Sequence, residues 1–235
     1  MDGLPGLQEA MTLSDDPRRH PHDWHSAAFV EDWIGQDATD DERRRPTLQR
    51  VAALLPGGPK DRLRVLDVGG GYGALSYEVL HARPQASVVL HDYSTAMIAK
   101  ASERLARFAG RVSYATADMA DPGWAGDLGG PFDAVVSALA IHNIDTAAIP
   151  RVYRDIYTLL RPGGCFFDAD LAFPAGPAEA DLYRRDPVRD LRWDVDTGLP
   201  GLEDHLRWLR EAGFGEAACV RKDCEDTLLW ALRSQ

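Results

Sequence analysis

The sequence has little of what marks a secreted, membrane-embedded or nucleic-acid-binding protein. It carries three cysteines in 235 residues, Cys165, Cys219 and Cys224, with no C-x-x-C or metal-ligand spacing among them. So few suit reduced thiols rather than a disulfide framework. No apolar run approaches the length that spans a bilayer. The start, Met1-Asp2-Gly3-Leu4-Pro5, lacks the basic and then apolar segments of a signal peptide. Positive charge is also scarce: 26 Lys and Arg stand against 37 Asp and Glu, a net charge of −11. Binding a polyanion normally needs a clustered basic footprint, so neither nucleic acid nor membrane is expected as a partner. A chain of this length buries roughly 70–75% of its unfolded surface, enough for one domain with a sizeable core. The expectation is an acidic, cytoplasmic domain, monomeric or homodimeric.

Glycine, by contrast, is concentrated where it matters. Leu63 to Leu66 reads as a buried parallel strand, Leu75 to His81 as a helix, and between them lies Asp67-Val68-Gly69-Gly70-Gly71-Tyr72-Gly73-Ala74. Glycines let the backbone turn sharply and approach a ligand where a Cβ would collide. The amides opening the helix favour an acceptor-rich or anionic group. Strand, glycine loop and helix together make a nucleotide site. The loop alone leaves two patterns open: Gly69, Gly71 and Ala74 satisfy G-x-G-x-x-A, and Asp67, Gly69, Gly71 and Gly73 satisfy D-x-G-x-G-x-G.

Along the chain, residues 1 to about 27 read as a polar arm. Its stretch His20-Pro21-His22-Asp23-Trp24-His25 gathers metal-ligand types without a metal-binding spacing, so no metal site is assigned. Phe29 and Trp33 lie four apart on one face of a short helix. With Trp24 they either pack a core or line a substrate pocket. A second helix, capped by Thr39 or Asp40, should run to Leu55 with Pro46 tolerated in its first turns. Residues 1–58 thus form an arm and helical cap, and 59–235 the main domain. Ala86 to Asp92 is strand 2, and its acid falls about 20 residues past the loop, where doubly wound folds place a carboxylate for the ribose hydroxyls. Arg111 to Thr116 is strand 3 and Phe132 to Ser137 strand 4. A helix over Thr146 to Leu160 ends at the turn Arg161-Pro162-Gly163-Gly164, and Cys165 to Ala169 is strand 5. Leu171 to about Pro200 reads as an irregular lid. Leu202 to Ala212 is helical, and Glu216 to Arg221 with Thr227 to Leu232 form an antiparallel pair.

In sum these segments resemble the class I S-adenosylmethionine (SAM) methyltransferases over about residues 40–235. Five features join the loop. His91-Asp92-Tyr93-Ser94-Thr95-Ala96-Met97 is similar to the family's D-x-S-x-x-M, and Ala117-Asp118-Met119 to the carboxylate that meets the adenine amino group. Phe132 to Ser137 followed by Ile141-His142 resembles strand 4 with its substrate loop, and Leu160 to Gly164 the turn before strand 5. The tail from Leu206 to Phe214, with two strands after it, resembles the closing hairpin. The resemblance implies an α/β, Rossmann-like doubly wound sheet in the order 3-2-1-4-5-7-6 with strand 7 antiparallel. A dehydrogenase would continue with further parallel units or a separate substrate domain, which this chain lacks.

The implied cofactor is SAM, leaving as S-adenosylhomocysteine. Gly69, Gly71 and Gly73 would touch it by backbone, Asp92 at the ribose and Asp118 at the adenine. Met119 would pack on that ring, Asp67 would orient the loop and reach the amino-acid part, and Tyr93 and Met97 complete the strand 2 motif. Ser137 and Ala138, just past strand 4, would pass near the methionine moiety. His142, whose unperturbed pKa of about 6.5 suits proton removal near neutrality, is the candidate general base. Many relatives carry a His-His pair here, whereas this chain has His142-Asn143. Asp168 and Asp170 alternate along strand 5 and read as structural. Substrate contacts are expected from Trp24, Phe29, Trp33, His142, Phe173, Tyr183 and Trp193, with Arg184 and Arg185 able to meet a substrate carboxylate or Asp181 and Asp186. The expected activity is methyl transfer to O, N or C of a small metabolite in a specialised pathway. Open alternatives are a protein or RNA methyltransferase, or a SAM-binding fold that serves as a cyclase or regulator.

Overall fold

A computed structural model of the chain describes Trp24 and residues 26–186, 200–224 and 226–235. Its centre is a seven-stranded sheet in the order β3-β2-β1-β4-β5-β7-β6. The strands are β1 (Arg64–Val68), β2 (Ser87–Asp92), β3 (Val112–Thr116), β4 (Phe132–Ala138), β5 (Leu160–Leu171), β6 (Glu216–Asp223) and β7 (Asp226–Leu232). β7 runs antiparallel to β5 and β6, and the remaining pairings are parallel. This is the order and the single reversed strand that the resemblance implied.

The helices are α1 (Ala27–Leu54), α2 (Ala74–Ala82), α3 (Thr95–Arg104), α4 (Ile149–Leu159), α5 (Pro177–Arg184) and α6 (Leu202–Glu211). Strand alternation divides the core between the two sheet faces. Val65 and Val136 face a layer filled by Leu48 and Val51 of α1, Leu75 and Val79 of α2 and Ala101 of α3. Leu66, Val68 and Val135 face the opposite layer, where Val152 and Ile156 of α4 meet Leu206 and Leu209 of α6. The parallel strands leave their carboxyl ends along one edge, where doubly wound sheets bind ligands.

Four local expectations are corrected. The two N-terminal helices are one 28-residue helix, α1, capped by the Ser26 hydroxyl accepting from Phe29 N–H, and Pro46 lies deep inside it. No glycine or proline falls between Gln36 and Arg45, so the polar residues read as a cap continue the helix instead. The turn Arg161–Gly164 lies within β5, because Leu160 already pairs with Phe132 before the register shifts. Ser137 and Ala138 belong to β4 rather than following it. Within the region read as irregular, Pro177 starts the two-turn helix α5. The rest of that region, 187–199 with Trp193, and residues 1–23 and 25 lie outside the described residues.

Candidate functional site

The glycine loop joins the end of β1 to α2. Gly69 and Gly71 have φ of +64° and +52°, the left-handed region that L side chains avoid. At Gly69 sterics add a second requirement, since a Cβ there would lie 2.4 Å from the Ala140 Cβ. A Cβ on Gly71 would meet nothing within 4 Å, so the loop presents open backbone at that point. Asp92, at the end of β2, braces the turn: its Oδ2 accepts from Gly71 N–H at 2.9 Å and its Oδ1 from Ser94 N–H at 2.8 Å. Burial raises the Asp92 carboxyl, and the hydrogen bonds from Ser94, Gly71 and Tyr93 oppose that rise.

Asp67 lies beneath the loop with no solvent exposure. Its Oδ2 accepts from the Ser76 hydroxyl at 2.6 Å, while its buried Oδ1 has no hydrogen-bond partner among the described residues. Burial pushes this carboxyl up to about 7, against the lowering effect of Ser76. A half-satisfied carboxylate under a glycine loop suits a cationic or hydrogen-bond-donating ligand group.

On the other side of Asp92, the Asp118 Oδ1 accepts from Ala120 N–H at 2.8 Å, turning the chain after β3. Met119 is buried among the core residues of the α4 layer. The Arg151 guanidinium of α4 fixes this turn by donating to the carbonyls of Met119 (2.9 Å), Ala120 (2.7 Å) and Asp121 (3.1 Å). Arg151 also pairs with Asp155, which accepts from the Trp124 indole N–H. The Trp124 ring lies against the buried His91 imidazole, with centroids 4.8 Å apart. The part of Arg151 at this turn carried no sequence signal: apart from Asp155, one helical turn on, its partners are backbone carbonyls some 30 residues away.

The loop after β4 holds the titratable pair. Leu139 adopts φ +51°, an uncommon conformation for a non-glycine residue that concentrates at functional sites. A short 3-10 turn, Ile141–Asn143, then presents His142 beside Asp170 of β5. His142 Nδ1 lies 2.5 Å from Asp170 Oδ1. Asp170 Oδ2 accepts from the backbone N–H of Ile141 at 2.9 Å and of His142 at 3.2 Å. Leu171 N–H adds a bond to Oδ1 at 2.8 Å. Burial alone would raise the Asp170 carboxyl; the adjacent His142 and these N–H groups outweigh it and hold the carboxyl below its ordinary range. The carboxylate thus anchors both the turn and the ring, leaving Nε2 as the nitrogen available for chemistry. The His142 side chain keeps 22% of its surface exposed and Asp170 only 4%. Sequence reading took Asp170, like Asp168, as structural; its signal was the Asp168-Ala169-Asp170 alternation.

The remaining expected contacts are spread more widely. Tyr93 is half-buried beside Asp92. Ser137 is fully buried and donates its hydroxyl to Val68 O at 3.0 Å, joining β4 to β1 rather than facing the cleft. Met97 packs with Val30 and Tyr72 in a cluster that also receives Trp24 and Trp33. The Trp24 ring stands edge-on to Phe29 (5.2 Å) and Trp33 (5.1 Å), and Trp33 reaches Tyr72 of the glycine loop at 6.0 Å. The Ser94 hydroxyl donates to Trp24 O, securing this aromatic group over the loop. Phe173 pairs with Gly201 as an isolated bridge. Tyr183 donates to Glu179 and receives a bond from Lys222, while Arg184 pairs with Asp181 at 2.8 Å.

Fold and glycine loop together define a Rossmann-like domain with a nucleotide-type loop at the carboxyl end of β1. The methyltransferase domain family matches residues 65–164. The ubiquinone/menaquinone biosynthesis C-methyltransferase UbiE of Methylobacterium nodulans is 36% identical over 135 residues, covering 57% of this chain and 51% of that protein. The enzyme of the same name from Paracoccus denitrificans is 30% identical over 175 residues, covering 67% and 68%. The 3-hydroxy-5-methyl-1-naphthoate 3-O-methyltransferase of Streptomyces sahachiroi is 30% identical, covering 67% and 45%. Among solved structures, an O-methyltransferase family protein from Burkholderia thailandensis superposes with a TM-score of 0.67 at 22% identity, covering 91% and 61%. The chain spans about half the length of the first two curated relatives it matches. The chain belongs to the class I SAM-dependent methyltransferases, and its cofactor is SAM. The Asp67 Oδ1, unpartnered among the described residues, and the open backbone at Gly71 fit a cofactor that brings hydrogen-bond donors.

Proposed function

We propose that this enzyme methylates a small molecule, at an oxygen, nitrogen or carbon that must lose a proton, with His142 as general base and Asp170 as the residue that orients it. The observation that carries this reading is the 2.5 Å contact between His142 Nδ1 and Asp170 Oδ1. Asp170 fixes the ring and stabilises its protonated form once Nε2 has taken the acceptor's proton. When bound, SAM supplies a methyl group on a positively charged sulfur, which needs little further activation. The chain's work is to hold the acceptor in line, exclude water and remove the proton, and positioning alone can contribute roughly 7–11 kcal/mol. The naphthoate O-methyltransferase among the relatives supports an ionisable hydroxyl on a planar ring as the acceptor. A small-molecule acceptor also agrees with the net charge of −11.

The backbone of Gly69, Gly71 and Gly73 would hold the cofactor, with Asp92 at the ribose, Asp118 and Met119 at the adenine and Asp67 toward the amino-acid end. Tyr93 would flank the ribose side. Trp24, Phe29, Trp33, Phe173 and Tyr183 form the surrounding cap and lid in this reading, over the arm and cap of residues 1–58 and the main domain of 59–235. The test is transfer of labelled methyl from SAM to host extract separated into small molecules, RNA and protein. Label in the small-molecule fraction supports the reading, and mass spectrometry of the product identifies the atom. Label in RNA or protein overturns the substrate class, and SAM binding without any transfer points to a cyclase or regulatory role.

A further inference from the structure

Behind the His142–Asp170 pair lies a buried polar chain for which the mechanism above has no use. Asp168 sits two residues before Asp170 on β5 and has no solvent exposure. Its Oδ2 lies 3.3 Å from the Tyr153 hydroxyl of α4, and that hydroxyl lies 2.7 Å from Nδ1 of His205 on α6. Its buried Oδ1 has no hydrogen-bond partner among the described residues. The neighbouring strands add no charge, since Asp168 pairs with Ser137 of β4, whose hydroxyl donates to Val68 O, and with Leu229 of β7. The titratable groups around Asp168 are therefore Asp170, Tyr153, His205 and, through Asp170, His142.

Counting protons decides what Asp168 carries. Tyr153 has one proton to give, and its shorter contact is to His205. If that proton goes to His205 Nδ1, an ionised Asp168 would face the phenol oxygen with no proton between them. If His205 donates instead, an ionised Asp168 would keep a single long hydrogen bond, deep in the core, beside a second carboxylate. Asp170, by contrast, has three backbone N–H groups and an imidazole. The charge belongs there.

We propose that Asp168 is a neutral, protonated carboxylic acid that donates to Tyr153, which donates to His205, so that the two carboxyl groups together carry one negative charge, on Asp170. One negative charge then stands beside the His142 ring, on Asp170, and its use in catalysis rests on the reading of His142 given above. Burial and the neighbouring Asp170 charge both raise the Asp168 carboxyl well above its ordinary range, and burial keeps His205 neutral by lowering its ring.

The test uses the full-length protein without substrate. Infrared difference spectra of wild type against Asp168→Asn should show the carbonyl stretch of a protonated carboxylic acid at pH 8, lost in the variant. If the asparagine variant does not fold, Tyr153→Phe replaces it, and the acid band should persist at higher frequency. Absence of the band from the wild type, or its persistence in Asp168→Asn, overturns the proposal. Because the readout needs no turnover, loss of the general-base reading in a kinetic assay would leave this result standing.

Discussion

The chemistry proposed for single residues makes separable predictions. His142→Ala should lower kcat by about 10²–10⁴-fold, the usual contribution of a general base. Asp170→Asn should lower kcat too, with KM for SAM little changed, because its amide nitrogen cannot accept both backbone N–H groups that the carboxylate oxygen now holds. Steady-state kinetics with the acceptor found by labelling checks both. A residue away from the reaction sets a pH limit on folding. Burial pushes the His91 ring down from 6.5 to about 4, with the Ala117 backbone and the Asp118 charge acting against it. Its ring nitrogens make no hydrogen bond among the described residues. The unfolded chain protonates His91 below about 6.5 and the folded one does not until about 4, so stability should be full above that window and fall as pH drops through it. The loss should reach roughly 3 kcal/mol. Urea unfolding between pH 7 and 4.5 measures it, and His91→Phe should flatten the dependence.

At the scale of elements, three arginines do what sequence patterns assigned to turns. Arg83 donates to the carbonyls of Ala52, Leu55, Pro56, Gly57 and Gly58 at the end of α1. Arg111 closes α2 through Leu80, Arg83 and Ala86, and Arg233 closes α4 through Tyr157, Thr158 and Leu160. The last carbonyls of a helix lack partners within it, and a guanidinium placed there satisfies several at once and meets the dipole favourably. Arg151 plays the same part for a functional turn. Arg151→Ala should raise the KM for SAM several-fold with a smaller effect on kcat, since the Asp118–Met119 segment loses three carbonyl anchors. Pro46 has the opposite character: deep in α1, it removes one helical hydrogen bond and crowds the preceding turn, a cost of about 3 kcal/mol in a regular helix. Pro46→Ala should raise the thermal midpoint, provided the packing of Leu48 and Val51 is kept, and calorimetry tests this directly. Here the sequence pattern misled, because proline and the acidic Asp40-Asp41-Glu42 run suggested a helix start. Those residues are acceptable within a helix when both flanks are anchored, the near one by Ser26 and the far one by the core.

Across the whole molecule, the division of labour between cap and main domain is less sharp than a boundary at 58 implies. Leu48, Val51, Ala52 and Leu55 belong to the same core cluster as Val65, Leu75 and Val88. A chain shortened to begin at Pro59 would expose the partners of these four side chains. It should lose cooperative unfolding, seen as a broadened or absent calorimetric transition, while a chain beginning at Trp24 should keep it.

The sequence by itself determined the strands, the glycine loop and the acids that end β2 and follow β3, because each is a local pattern, while the sheet order came from the family resemblance. Strand periodicity, a positive φ that only glycine accepts without strain and a carboxylate at a strand end are all written in adjacent residues. It also placed His142 in the loop after β4. Only the tertiary structure decided which carboxylate serves that histidine, since Asp168 and Asp170 look alike in sequence and differ only in their neighbours. One meets backbone N–H groups and an imidazole, and the other a phenol in a closed core. The same holds for Arg151 and Arg83, whose partners are carbonyls. Every residue has a carbonyl, so sequence carries no record of which ones an arginine will find once the chain has folded.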